Sequence, residues 1–249
     1  MEMNIKKTLK HVAVAISFAV LLSPIVAISG NGKKQSSPAG QGMIIAETLA
    51  SLPYEDLSLA EIDGLILMRE EEKLARDVYQ YLYKEWGMVI FQNISTSEQR
   101  HMDAVRILLD KYGLTDPAAN NAPGIFTSQE LQDLYDALIV IGSESQVAAL
   151  EVGATIEDLD IYDLLKLLNE TDNEDIKTAY QNLLKGSRNH LRSFIYQLSL
   201  NGVEYEAQYL SDEEMEAIIL TPHERGVYNQ DGEVVYKPLT RMGVGRSRR

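Results

Sequence analysis

Glu98-Gln-Arg-His101 sets a carboxylate and an imidazole three residues apart. On a helix that spacing projects both to one side, where they can offer an oxygen and a nitrogen to a single ion. The stripe around them, Phe91, Ile94, Val105, Leu108 and Tyr112, steps by three or four residues as a buried helical face must, and Glu98 and His101 take its two central places. Three other segments repeat the pattern. Glu72 interrupts Leu65, Met68, Ala75, Tyr79, Leu82 and Trp86; Glu157 lies in register with Val147, Leu150, Ala154, Ile161, Leu164 and Leu168; His190 fills the gap in Ile176, Tyr180, Leu183, Phe194 and Leu198. Glu71, on the edge of the first face, is the other candidate for the inward place.

A carboxylate on a core stripe is costly unless it is paired, hydrogen-bonded or bound to a metal. Taken singly, Glu72 or Glu157 reads as a snorkelling or surface acid, and His101 or His190 as a hydrogen-bonded core histidine. Ser95-Thr-Ser-Glu98 also has the spacing of a capping box, which would place Glu98 at a helix start. The coincidence of four interrupted stripes favours a metal site built from Glu72, Glu98, His101, Glu157 and His190.

Positioning these residues requires four long helices. Ser58-Leu-Ala-Glu61 has capping-box spacing and opens a helix to about Trp86, with Gly87 as its stop. The second runs from about Met88 to Tyr112. Residues 113–127 are rich in Gly, Pro and Asn, and Thr127-Ser-Gln-Glu130 caps a short helix ending before Gly142. Ser143-Glu-Ser-Gln146 starts the third long helix, ending near Leu168; Asp172 or Asn173 caps the fourth, which runs to Leu200. Short links within each pair and one long crossover between helices 2 and 3 give an all-α, ferritin-like four-helix bundle. Farther on, Ser211-Asp-Glu-Glu214 suggests a short docking helix and Asp231-Gly232 a weak hairpin.

The chain divides into residues 1–29, a helical domain over 43–220 and a C-terminal tail over 221–249, with a Gly- and Ser-rich flexible linker at 30–42. Lys6, Lys7 and Lys10 precede an apolar run from Val12 to Ile28 and a small-residue site at Ala27-Ile28-Ser29, as in an export signal. An uncleaved membrane anchor is the competing reading. Either places the domain outside the cytoplasm, whether extracellular, periplasmic or at the cell surface. The 249 residues carry 23 basic and 37 acidic side chains; without residues 1–29, which hold three Lys and one Glu, 20 and 36 remain, a formal charge of −16. Such a chain is a poor partner for nucleic acid. With no cysteine, a lipoprotein anchor, a four-thiolate iron centre and thiol chemistry are excluded, and stability must come from packing and from any bound metal.

Glu72-Lys-Leu-Ala75-Arg-Asp-Val-Tyr79 and Glu98-Gln-Arg-His101 resemble the first- and second-helix motifs of rubrerythrins. Arg69-Glu-Glu-Glu-Lys-Leu-Ala-Arg-Asp-Val-Tyr79, Ser97-Glu-Gln-Arg-His-Met-Asp-Ala-Val105 and Gly186-Ser-Arg-Asn-His-Leu-Arg192 more closely resemble an uncharacterised prokaryotic ferritin-like family, the domain of unknown function 2202, over about residues 60–210. One departure stands out. Ferritin-like di-iron proteins usually carry a second Glu-x-x-His on the fourth helix, whereas this chain has Ser187-Arg-Asn-His190. Asp160, one turn after Glu157, is the residue best placed to supply the missing oxygen, ahead of Asp158 or Glu151. Tyr79 and Tyr180, facing inward, are candidates for hydrogen bonds to the ligating carboxylates.

The resemblance and the mixed carboxylate and imidazole ligands imply one or two iron ions, with manganese or zinc as alternatives. The implied activity is oxidation–reduction with oxygen or peroxide, or oxidation of Fe(II), of ferroxidase or peroxidase type. Turnover would need an external electron donor unless Fe(II) is itself the donor. The alternatives are a non-catalytic metal-binding or storage module, and a metal-free helical interaction domain. A homo-oligomer is compatible with the sequence, although the tether and tail argue against a large cage.

Overall fold

The computed structural model describes residues 41–236. The segment expected to be an export signal or anchor, most of the expected linker and the basic end of the tail lie outside them. Among the described residues the chain is mostly helical, with seven helices and one two-stranded sheet. No helix there is long and apolar enough to cross a membrane.

Helix α1 spans Gln41–Ser51 and α2 spans Leu59–Trp86. Ser58 caps α2 with a full capping box, its hydroxyl accepting from the Glu61 N–H while Glu61 takes the Ser58 N–H, and Gly87 ends it in the left-handed region at φ 66°. Two residues later α3 begins, Val89–Tyr112. Such a short connection turns the chain back, and α2 and α3 pack along one another. Helix α4 (Gln129–Gly142) is capped by Ser128, α5 (Gln146–Glu170) by Ser145, and α6 (Glu174–Leu200) follows three residues after α5 and packs along it. The caps of α4 and α5 therefore sit at Ser128 and Ser145 rather than at Thr127 and Ser143. The capping-box reading of Ser95–Glu98 is overturned: α3 runs unbroken through it, and Ser95 donates to the Gln92 carbonyl instead.

The crossover is fastened by buried charges of α2. Arg69 is 5% exposed; it donates to Asp116 at 2.9 and 2.8 Å and to the Met102 carbonyl at 2.7 Å. The Glu70 carboxylate accepts from the backbone N–H groups of Thr127 and Ser128 at 2.6 and 3.0 Å. Lys73, 1% exposed, pairs with Asp77 at 2.6 Å, donates to the Ala122 carbonyl at 3.0 Å and lies over the Phe126 ring. Asp77 in turn accepts from the Gly124 N–H. One stretch of α2 thus supplies the hydrogen bonds that the irregular backbone of 113–128 cannot make within itself.

Two later segments close the other side. The fully buried Asp158 carboxylate accepts from the Tyr205 hydroxyl and from the backbone N–H groups of Gln208, Tyr209 and Leu210, fixing residues 205–210 on α5. Helix α7 (Asp212–Ile219) follows, then strands β1 (Val227–Tyr228) and β2 (Val234–Tyr236), antiparallel with an irregularity in register. Residues 221–236, expected in a tail, are tied to α6: Glu224 meets Arg188 and Arg192, and Asn182 exchanges hydrogen bonds with the Tyr228 backbone at 3.0 and 2.8 Å. The apolar core runs between the long helices, with the rings of Tyr79, Phe91 and Phe194 within 5.4–6.0 Å of one another near its centre.

Candidate metal centre

Each stripe delivers its interrupting residue to one buried place. Glu72, on α2, is 1% exposed; Glu98, on α3, and Glu157, on α5, are each 2%. His101 (α3) and His190 (α6) close the set, their rings stacked 5.6 Å apart. Two groups result, Glu72–Glu98–His101 and Glu98–Glu157–His190, the candidate ligand atoms within each lying inside 4.8 Å of one another. Glu98 belongs to both. Its Oε2 is 2.7 Å from His101 Nδ1 and its Oε1 is 2.8 Å from His190 Nδ1. His101 Nδ1 is also 3.2 Å from Glu72 Oε2, and His190 Nδ1 is 3.4 Å from Glu157 Oε2.

These acidic and histidine groups could hold a metal ion, and the manner of their approach fits one. Adjacent ligands at right angles around an ion at about 2.1 Å stand about 3 Å apart, the range of the four contacts. Although Glu98 Oε1 and His190 Nδ1 are close, neither is aligned for a hydrogen bond, and Glu72 Oε1 also lacks a partner among the described residues. Proximity without alignment is the arrangement of donors facing a common third point.

Burial sets the electrostatics. It pushes the Glu72 carboxyl well above its ordinary range, aided by Asp160 and Glu98 and opposed by His101. Burial raises Glu157 as well. Glu98 differs: burial acts to raise it, but His190 and His101 outweigh that and hold it below the carboxylate range. Burial would lower His190, yet Glu98 and Glu157 bring it up to about 10. Burial would lower His101 too, but Glu72 and Glu98 raise it, so a cation here would compete with protons for the ring nitrogens.

Residues 61–222 match the family described as Uncharacterized protein domain (DUF2202). The chain belongs to that family. The uncharacterized protein MJ0754 of Methanocaldococcus jannaschii is 55% identical over 181 residues, 73% of this chain and 98% of that protein. The crystal structure of hypothetical protein MJ0754 from Methanococcus jannaschii DSM 2661 superposes with a TM-score of 0.69 at 55% identity, covering 70% of this chain and 99% of that one.

Around the two groups, the DUF2202 domain places its polar neighbours unequally. The Tyr79 hydroxyl donates to Glu157 Oε1 at 2.5 Å, fixing that carboxylate from the aromatic side. Tyr180 is a correction: its hydroxyl is buried near Gly64 and makes no hydrogen bond among the described residues, so it does not orient the carboxylates of the two groups. Asp160 joins neither group; Ser187, at the place of the usual second Glu, donates its hydroxyl to Asp160 Oδ2. Burial and Glu157 raise the Asp160 carboxyl to about 7. Asp158 is committed to residues 205–210 and Glu71 lies outside both groups.

Gly186 was not singled out as a site residue. A Cβ there would stand 2.4 Å from His101 Cε1 and Nε2, so the imidazole rests directly on the α6 backbone. The available signal was a glycine in mid-helix one turn before His190, which costs about 1 kcal/mol relative to Ala unless something must come close.

Proposed function

We propose that this DUF2202 chain is an exported, ferritin-like metalloprotein whose four long helices form a bundle around a dinuclear centre of non-haem iron, with manganese as the alternative metal. Its proposed activity is oxidation–reduction with oxygen or peroxide, including oxidation of Fe(II) as a substrate. The observation that carries this reading is Glu98, whose two oxygens each face one histidine of a separate trio. A carboxylate shared in this way is the natural bridge between two ions.

On this reading Glu72 and His101 would hold one ion, Glu157 and His190 the other, and Glu98 both. The metals would supply the redox chemistry; the chain supplies the rest. Tyr79 keeps Glu157 turned inward, and Gly186 lets His101 reach the site. Elemental analysis with anomalous diffraction on protein produced with iron available tests the centre, with two ions expected. Faster Fe(II) oxidation or peroxide consumption than by the His101→Ala variant tests the activity; equal rates would reject it.

A redox-inert zinc site is the second reading, favoured by Ser187. Its hydroxyl is given to Asp160, leaving the centre with one protein bridge instead of two. Zinc retained after iron-supplemented expression, with no spectral response to peroxide, would decide for this module without turnover.

A further inference from the structure

Between α2, α4 and α5, with Tyr209 on one side, lies a small cavity of about 20 Å³. Leu74 and Ala75 come to it from α2, Leu134 and Leu138 from α4, and Ile156 and Leu159 from α5, all six buried. Glu71 and Asp160 also border it, but its wall is almost wholly apolar, so their carboxyl oxygens add next to nothing to the surface a guest would touch. A single water needs about 10–15 Å³ of such space and also roughly two to four polar partners. The room is there; the partners are not. A cavity of this kind suits a small apolar guest instead, and it is too small for an organic ligand.

Its position gives such a guest a destination. Ala75 follows Glu72 by one turn of α2 on the same face, and Ile156 adjoins Glu157 on α5. Asp160, at the edge of the cavity, is near enough to the centre for its charge to raise the Glu72 carboxyl and for that of Glu157 to raise its own. We propose that this cavity is a binding site for dioxygen and its last stop before the metal centre, which makes dioxygen rather than peroxide the oxidant. The gas site stands on the cavity alone; the delivery rests on the redox reading of the centre. Dioxygen brings almost no hydrogen bonding to lose against an apolar wall, whereas peroxide would give up hydrogen bonds to water that nothing here replaces.

Crystals of the wild-type protein under xenon are the direct probe, because xenon occupies small apolar cavities and is located by its anomalous scattering. A xenon atom should stand between Leu134 and Ala75 whether or not the centre is loaded; an empty cavity would overturn the proposal. Leu134→Phe fills the space from α4, a helix that carries no residue of the centre, and urea denaturation and elemental analysis verify that the variant is folded and keeps its ions. It should exclude xenon and lower kcat/KM for dioxygen in Fe(II) oxidation about tenfold, the worth of burying one or two methylene-sized groups, and lower that for peroxide by less. No loss, or equal losses with the two oxidants, would overturn the delivery. Should Leu134→Phe not fold, wild type carries the test: xenon should raise the KM for dioxygen without lowering kcat, and an unchanged KM with the cavity filled rejects the delivery. Xenon bound in a protein that consumes no dioxygen would leave the gas site standing and remove the redox reading, delivery included.

Discussion

At the scale of single residues, Glu98 is the member of the site that cannot be assigned to one half. Replacing it by Ala should abolish binding at both proposed metal positions, whereas His101→Ala should reduce the ion count by about half; elemental analysis of the purified variants distinguishes the two. Gly186→Ala would put a methyl group 2.4 Å from the His101 ring. The expected cost is about 1–3 kcal/mol for overpacking, read by urea denaturation, together with about 10–100-fold weaker metal binding from a displaced ligand, read by competition with a chelator. The inward places of Glu72, Glu98, His101, Glu157 and His190 were legible because each interrupts an apolar stripe whose period fixes its direction. What the stripe cannot convey is the hydrogen-bond partner: Tyr79 and Tyr180 are equally inward in sequence, but only Tyr79 reaches a carboxylate of the candidate site. That difference is set by packing between helices.

Among the elements, α2 departs most from its sequence appearance. Arg69-Glu-Glu-Glu-Lys73 looks like a solvated charged run, yet all five residues are buried, three of them holding the crossover and Glu72 facing the candidate centre. Periodicity does not reveal this, because the crossover partners lie 47 to 58 positions away in a loop with no period of its own. Asp77→Ala would leave the Lys73 ammonium buried without its carboxylate, with an expected loss of about 3–5 kcal/mol. Urea denaturation measures the loss, and faster proteolytic cleavage within residues 117–127 would place it. Helix α1 also escaped the sequence reading, its first residues being assigned to the Gly- and Ser-rich linker, although Ile45 and Leu49 are buried in the core. The helix boundaries were otherwise legible from caps and stops, within one or two residues.

For the whole molecule, stability should depend on metal, because the ligands are assembled only in the folded chain. An ion at 100 times its dissociation constant adds about 2.7 kcal/mol, so the thermal midpoint should fall on chelation and be restored by added metal, and Glu98→Ala should show no such response. Acid should loosen the C-terminal segment. Burial acts to raise the Glu224 carboxyl, but Arg188 and Arg192 prevail and hold it below its ordinary value of 4.5. Its contribution is therefore complete above that value and disappears as pH falls through the lower folded-state value. Glu224→Gln should consequently lose less stability than wild type between pH 5 and 3, as measured by urea denaturation at each pH.

The fastening of the crossover to α2 has a mechanical meaning as well. Glu70 and Lys73 grip residues 122–128 from the same helical turn that presents Glu72. Loop and ligand are thus two arms of one lever with its fulcrum in α2. A pull on the loop from outside would reach the turn that carries Glu72, and a change at Glu72 would reach the loop.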